Sequence, residues 1–147
     1  MIILENIKVS VILPVYKTEP YLRQCLDSII QQTLREIEII CINDSSPDNS
    51  LSILEEYAAK DHRIKVITQP NGGAGSARNN GMRHARGKYL SILDSDDFFE
   101  PTMLEEAYTK AENLSADFVI YRSDQYFTET NEFKPIRWSL RIKQLPP

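Results

Sequence analysis

The sequence predicts an α/β protein with a mainly parallel β-sheet and helices on both faces of that sheet. Five short apolar runs, rich in β-branched residues, recur along the chain and are typical of buried strands. Segments whose apolar residues have helical spacing separate these runs. Regular alternation of strand and helix is typical of βαβ units, which build parallel sheets.

The first four elements follow from local patterns. The apolar runs at 8–14 and 37–42 predict two strands. Between them, residues 19–33 carry one apolar stripe at helical spacing. Ser46 followed by Pro47 is typical of a helix start, because serine caps the first turn and proline suits its first position.

The later elements continue the alternation, although the pattern weakens near the end of the chain. Glycines at 72–75 lead into a third helix, and Gly87 stands where a helix-ending glycine is expected. Residues 122–147 show no clear period, so we expect one or two short strands and loops there. The remaining predictions are strands at 64–68, 89–93 and 118–121 and a helix that begins at Pro101 and includes Ala111.

Composition and charge indicate a single domain over residues 1–147. The chain has 147 residues, of which 41% are hydrophobic and 26% charged, close to globular averages. A formal net charge of −4 argues against a nucleic-acid partner. No apolar run approaches the ~18 residues that span a bilayer, and residues 1–5 are too short for a signal peptide. Cys25 and Cys41 fall in apolar patterns, so we expect buried thiols and a cytoplasmic location, with peripheral attachment at the cytoplasmic membrane face left open.

Polar and glycine residues follow four successive predicted strands, at the point where each strand ends. Because the carboxyl ends of parallel strands lie on one edge of a sheet, these residues are expected to converge on one cleft. After the fourth strand come Asp94, Asp96 and Asp97, whose mutual repulsion costs stability unless a cation is present. Carboxylate oxygens suit Mg²⁺ or Mn²⁺, which share their remaining positions with phosphates. A solvated acidic turn is the alternative for an isolated Asp-x-Asp, but the position after a buried strand favours the metal site.

The other strand-end features each allow two interpretations. Asp44 is placed to accept hydrogen bonds from a base or ribose, or to cap the next helix. The glycines at 72–75 either expose backbone N–H groups to a phosphate at a helix N-terminus or form a plain turn. Arg78, in the first turns of that helix, is positioned to meet a diphosphate. An EF-hand that starts at Asp94 is excluded, because Phe99 occupies the position that needs glycine.

With these features in place, the sequence resembles the family 2 glycosyltransferases, which have the Rossmann-like GT-A fold. The matching stretches occur in the family's order and cover roughly residues 8–122. Each stretch is modest alone, but together they are highly specific. They are Val9-Ser-Val-Ile-Leu-Pro-Val-Tyr16, Tyr21-Leu-Arg-Gln-Cys-Leu-Asp-Ser-Ile29, Asn43-Asp44, Gln69-x-Asn71-x-Gly73, Ala77-Arg78-Asn79-x-Gly81 and Leu93-Asp-Ser-Asp-Asp97.

The resemblance implies a nucleotide-sugar donor, most often a UDP-sugar, and a divalent metal, Mn²⁺ or Mg²⁺, that neutralises the diphosphate leaving group. Asp96 would be the main metal ligand, Asp94 would lie on the ribose or metal side, and Asp44 would contact the base. Gly73 and Arg78 would lie near the ribose and diphosphate, and the loop after the first strand would frame the nucleoside. The full set expected to bind the nucleotide sugar is Pro14, Val15, Tyr16, Glu19, Asp44, Asn71, Gly73, Arg78, Asp94, Ser95 and Asp96.

Residues in two loops and the chain length depart from the family pattern. Lys17 replaces the usual asparagine, and Ser45 replaces a glycine in the turn beside the base pocket. Family members usually continue for ~100 residues past the acidic motif, which is domain-scale material. That later part supplies the acceptor site and the general base. We therefore name no catalytic base and expect a truncated chain that lacks the acceptor-binding portion.

The expected function is transfer of a sugar from a nucleotide-sugar donor to an acceptor hydroxyl, as in polysaccharide or cell-surface glycan synthesis. The acceptor would be a glycan or a lipid-linked molecule, and homo-oligomer formation stays open. The alternative is a module that binds the nucleotide sugar without transferring it, because the part with the catalytic base is missing. A nucleotidyltransferase has less support, because no lysine-bearing, glycine-rich loop follows the first strand.

Overall fold

The computed structural model describes residues 6–135 and divides the chain into two compact units, with the boundary after Asp117. The expectations for residues 1–5 and 136–147 lie outside the described residues. The second unit contains a hairpin of β5 (Asp124–Phe127) and β6 (Glu132–Pro135). The first unit contains β1 (Val9–Val15), α1 (Glu19–Ile30), β2 (Ile37–Asn43), α2 (Ser50–Lys60), β3 (Ile64–Thr68), α3 (Gly73–His84), β4 (Tyr89–Ile92) and α4 (Met103–Leu114).

The four strands of the first unit form one parallel sheet in the order β3-β2-β1-β4, which confirms the predicted fold class. Every residue of the central strands β1 and β2 is buried. Both strands therefore appear in the sequence as mainly apolar runs, without the regular alternation of half-exposed strands. The chain adds β2 and β3 on one side of β1 and β4 on the other. Such a reversal of strand order opens a crevice at the carboxyl ends of the strands.

Helices cover both faces of this sheet. On one face, the odd-numbered residues of β1 form a core with leucines of α1, α2 and α4. On the other face, Ala77 of α3 joins a smaller core cluster with Ile12 of β1 and Ile42 of β2. Cys25 and Cys41 are free and buried, and burial raises the pKa of both thiols. Within residues 6–135, the helices are too short or too polar to cross a bilayer.

Two element boundaries were predicted wrongly because the residues at them make long-range contacts. α2 begins at Ser50 rather than at Ser46, whose hydroxyl accepts a hydrogen bond from Lys17 N at 2.7 Å. Gly87 does not end α3, which stops at His84. Gly87 is needed for close packing instead, since a Cβ there would lie 2.5 Å from the backbone nitrogen of Ser10. Smaller differences occur in α1, which ends at Ile30, and in α4, which starts at Met103.

The predicted strand at 118–121 is also wrong, because these residues form no strand. The short strands expected after residue 122 are present as the antiparallel β5–β6 hairpin. Its loop contains Asn131 at φ 54°, a conformation that asparagine tolerates better than most residues. An apolar run becomes a strand only where a neighbouring strand satisfies its backbone groups. Local sequence does not reveal whether such a neighbour exists.

Candidate functional site

A cleft of about 320 Å³ opens at the carboxyl ends of β1, β2 and β4 and beside the N-terminus of α3. All of the predicted site residues line it except Glu19, and Ala74 and Ala77 complete the lining. Asp44 and Asp96, from different loops, therefore share one pocket. The volume lies at the small end of the usual range for small-molecule sites, about 300–1,000 Å³.

The end of β1 supplies the aromatic part of the cleft. Pro14 and Val15 are buried in the strand, and Tyr16 is 43% exposed directly after it. The next residue, Lys17, turns the chain with a left-handed φ of 55°. Its ammonium lies 5.3 Å from the centroid of the Tyr16 ring, within the range of a cation–π contact. The aromatic ring of Tyr16 therefore lies exposed at the rim of the cleft.

Asp44 is buried at the end of β2 and binds the N-terminus of α3. Its Oδ1 accepts hydrogen bonds from Gly72 N at 2.9 Å and Gln69 Nε2 at 2.8 Å, and its Oδ2 accepts one from Gly73 N at 2.8 Å. The suggestion that Asp44 caps the next helix is therefore wrong, since it caps α3 rather than α2. Two of the N–H groups expected to face a phosphate are bonded to Asp44 instead. A carboxylate has about four acceptor positions, and the described residues fill three of them.

The acidic turn after β4 concentrates negative charge at the other side of the cleft. Arg78 Nη2 donates to Asp94 Oδ1 at 2.6 Å, and the turn is closed by a bond from Asp97 N to Asp94 O at 3.0 Å. Burial raises the pKa of Asp97 above its usual value, and the charges of Asp96 and Asp94 raise it further. Repulsion within the turn therefore favours binding of a cation.

The donor set of this turn fits a divalent metal that is shared with a ligand. Within residues 6–135, no group of three or more His, Cys, Asp or Glu side chains could hold a metal ion. Asp94 and Asp96 can thus fill only part of a coordination shell. Mg²⁺ and Mn²⁺ are hard ions that accept one or two carboxylates and take water or phosphate oxygens at the other positions. The turn suits an ion that binds together with a diphosphate.

Glu19 does not line the cleft but joins two of the loops that do. Its carboxylate accepts hydrogen bonds from Asn49 N and Asn49 Nδ2, both at 3.0 Å, and its own backbone N–H donates to Asp48 Oδ2 at 3.2 Å. Burial would raise the pKa of Asp48, but hydrogen bonds from Ser46 and Ser50 outweigh it and lower the pKa to about 2. The loops after β1 and β2 are therefore tied by charged, hydrogen-bonded side chains beside the cleft.

Two residues that support the cleft were not singled out from the sequence. Gln69 donates to the Asp44 carboxylate, and the Thr18 hydroxyl lies 2.8 Å from the Ser95 hydroxyl. Their partners are 25 and 77 residues away along the chain. Gln69 falls in one of the matched family stretches, which is a signal in retrospect. Thr18 carries no signal, because a single threonine at a helix start has a sufficient local explanation as a cap.

The fold and the acidic turn together define a protein of the GT-A class. The sequence model described as "Glycosyl transferase family 2" matches residues 10–146, and the chain belongs to that family.

Relatives and solved structures are similar to most of this chain and to a smaller share of their own length. "Uncharacterized glycosyltransferase EpsJ" of Bacillus subtilis (strain 168) is 47% identical over 111 residues, covering 76% of this chain and 32% of EpsJ. The structure of Staphylococcus aureus TarS 1–349 in complex with UDP matches with a TM-score of 0.68 at 34% identity, over 72% of this chain and 32% of that one. The mannosyltransferase PcManGT from Pyrobaculum calidifontis, in complex with GDP-Man and Mn²⁺, matches with a TM-score of 0.59 at 26% identity, over 63% and 28% of the two chains. The chain thus spans about a third of the length of these proteins.

Proposed function

We propose that this chain is the donor-binding part of a glycosyltransferase that uses a UDP-sugar and a divalent metal. The observation that carries the proposal is the cleft that gathers Tyr16, Asp44, Arg78 and Asp96 at one edge of the sheet. These side chains offer an aromatic face, a hydrogen-bond acceptor, a cation and a metal ligand. A nucleoside diphosphate needs these four functions for its base, its phosphates and its counter-ion.

Asp44 would determine which nucleobase of the donor binds in the cleft. An ionised carboxylate only accepts hydrogen bonds, and three of the four acceptor positions of Asp44 are filled by the protein. The remaining position suits a base with an N–H group on its pairing edge. Uracil and guanine have such a group on a ring nitrogen, whereas the ring nitrogen of cytosine is an acceptor that a carboxylate disfavours, and only its exocyclic amine donates. The UDP in the TarS complex supports uracil, and the GDP-Man in the PcManGT complex makes guanine the second candidate.

The diphosphate requires a metal because the cleft is acidic. Asp44, Asp94 and Asp96 line it, and Arg78 is the cation of that lining. A bound diphosphate would meet net repulsion in this field without a counter-ion. Mn²⁺ or Mg²⁺ held by Asp96, with Asp94 beside it, would neutralise the nucleoside-diphosphate leaving group. The Arg78 guanidinium is placed to exchange Asp94 for a phosphate oxygen, since it is partly exposed and lies at the rim.

The acceptor would be a hydroxyl of a glycan or of a lipid-linked molecule, activated by a general base that we do not assign. If that base is absent, the chain is a nucleotide-sugar-binding module without transfer activity. The two functions predict the same donor binding and differ only in turnover. Incubation with UDP-sugars and candidate acceptors, followed by measurement of released UDP, separates them. Release of UDP only when an acceptor is present supports transfer, and binding without release supports the module.

Isothermal titration calorimetry with UDP, GDP and CDP tests the proposed donor site. In the presence of Mn²⁺, we expect the wild-type chain to bind UDP more tightly than CDP. Without the metal, its affinity for UDP should be much lower. Asp96→Asn should weaken the Mn²⁺-dependent affinity by about tenfold or more, because it removes a charged ligand of the ion. Glu55→Gln, an exposed carboxylate of α2 outside the cleft lining, is the matched control and should bind as the wild type does. Equal UDP affinities of Asp96→Asn and wild type would show that Asp96 does not contribute to the proposed site.

A further inference from the structure

Thr18 is the N-cap residue of α1, but its hydroxyl does not cap that helix. Its backbone carbonyl accepts the first hydrogen bonds, from Tyr21 N and Leu22 N, both at 3.0 Å, while no side-chain cap bond is present. The hydroxyl lies 2.8 Å from the Ser95 hydroxyl instead. An N-cap threonine usually stabilises its helix through the side chain. Here the Thr18 side chain makes no such bond and instead contacts Ser95, which is 77 residues later in the chain.

Ser95 is the buried centre of the acidic turn. It is 3% exposed, whereas Asp94 and Asp96 on either side of it are exposed. Arg78 holds the carboxylate of Asp94. Within residues 6–135, no hydrogen bond is formed to the carboxylate of Asp96, so its direction depends on the backbone of the turn. The Thr18 hydroxyl is the side-chain partner of Ser95, the residue directly before Asp96 in that turn.

We propose that Thr18 is a positioning residue for metal binding, which rests on the proposed function. Its hydroxyl holds Ser95 and therefore the backbone from which Asp96 projects into the cleft. Thr18 does not itself line the cleft, so it acts through Ser95. A turn that is ordered before the ligand arrives lowers the conformational cost of binding. The hydroxyl would thus contribute to affinity for the metal–nucleotide pair without touching either.

Two variants of the full chain separate the hydroxyl from the rest of the side chain. Thr18→Val removes the hydroxyl at nearly constant volume, and Thr18→Ser keeps it. Because the hydroxyl makes no cap bond, the valine variant should leave the start of α1 as it is. Ser95→Ala removes the partner, and the double variant Thr18→Val/Ser95→Ala completes a cycle. Each protein is titrated with UDP in the presence and in the absence of Mn²⁺, and its urea unfolding is recorded.

We expect Thr18→Val to weaken UDP binding in Mn²⁺ by about tenfold, because the loss of one hydrogen bond typically costs about that factor in affinity. Binding without Mn²⁺ should not change, and Thr18→Ser should restore the wild-type affinity. Ser95→Ala should show the same loss, and the double variant should lose no more. Wild-type affinity of Thr18→Val in Mn²⁺ would overturn the proposal, as would an equal loss with and without the metal. If the wild-type chain itself shows no Mn²⁺-dependent binding of UDP, the proposed function fails first, and the role of Thr18 fails with it.

Discussion

At the scale of single residues, two turns beside the cleft hold non-glycine residues in left-handed conformations. Lys17 and Ser45 both have φ 55°. Both positions depart from the family pattern, where asparagine and glycine are usual. Both of those residue types adopt the left-handed region more readily than other residues do. Ser45 holds a left-handed conformation that glycine adopts easily, and its hydroxyl donates a hydrogen bond to Gln69 O at 2.7 Å.

Replacement of Lys17 by asparagine is expected to stabilise the protein. Lys17 holds a conformation that costs an ordinary L-residue about 1–2 kcal/mol, and asparagine recovers part of that cost. Its backbone N–H bond to Ser46 Oγ does not depend on the side chain. We expect the free energy of unfolding in urea to rise by about 0.5–1 kcal/mol. Lys17→Gln, which also removes the charge but does not favour the left-handed region, should give no gain, and an equal gain in both variants would assign the effect to charge.

At the scale of elements, the position of α3 depends on a glycine in the face that it turns to the sheet. A Cβ at Gly81 would overlap Cγ2 of Ile12, which is fully buried in the core cluster beneath α3. Gly81→Ala should therefore lower the free energy of unfolding by about 1–3 kcal/mol through overpacking. Gly75→Ala is the matched control in the same helix, because nothing lies within 4 Å of a Cβ there. It should be neutral or stabilising, since alanine favours helices, and stabilisation by Gly81→Ala would contradict the close packing.

Sequence patterns predicted the elements of the first unit well because most of their signal is local. β1 and β2 are buried on both faces and therefore appear as mainly apolar runs, with Ser10 and Glu38 as the polar residues inside them. The errors fall where a contact across the fold changes a local preference. Ser46 is a good helix cap in isolation, but its hydroxyl accepts a bond from Lys17 and donates to Asp48. Within residues 6–135, the apolar residues at 118–121 pair with no strand.

At the scale of the whole molecule, the cleft could be predicted because topology alone brings the strand ends together. The contacts that arrange its residues could not, since they join loops that are distant in sequence. The carboxylate of Asp44 binds α3 rather than standing free, and Glu19 binds Asn49 instead of lining the cleft. The spacing of strands in the sequence predicts which residues lie at the carboxyl edge of the sheet, but not which of them form hydrogen bonds with each other there.

The opposite edge of the sheet contains a buried carboxylate that makes the stability of the first unit depend on pH. The Glu38 side chain is 3% exposed. Its Oε1 accepts hydrogen bonds from Ser10 Oγ and Arg86 N, both at 2.6 Å, and its Oε2 accepts one from Lys65 Nζ at 2.9 Å. These partners belong to β1, to β3 and to the connection before β4. Glu38 therefore joins three strands and the connection between α3 and β4 around one charge.

Acid is expected to weaken the protein through Glu38. Burial would raise the pKa of Glu38, but hydrogen bonds from Ser10, Lys65 and Arg86 outweigh it and lower the pKa below the usual 4.5. A carboxyl whose pKa is lower in the folded chain contributes stability that is complete above its unfolded pKa and lost as the pH falls through its folded pKa. The free energy of unfolding should therefore decrease as the pH is lowered below about 4.5.

The variant Glu38→Gln tests this pH dependence by urea unfolding from about pH 7 down to about pH 3. At neutral pH we expect it to be less stable than the wild type by about 2 kcal/mol, because the amide cannot accept all three bonds and carries no charge for Lys65. The difference should shrink toward low pH, where the wild-type carboxyl is itself protonated. Glu55→Gln, on the exposed face of α2, should run parallel to the wild type. A difference between Glu38→Gln and wild type that stays constant across this range would show that Glu38 contributes by shape and not by its charge.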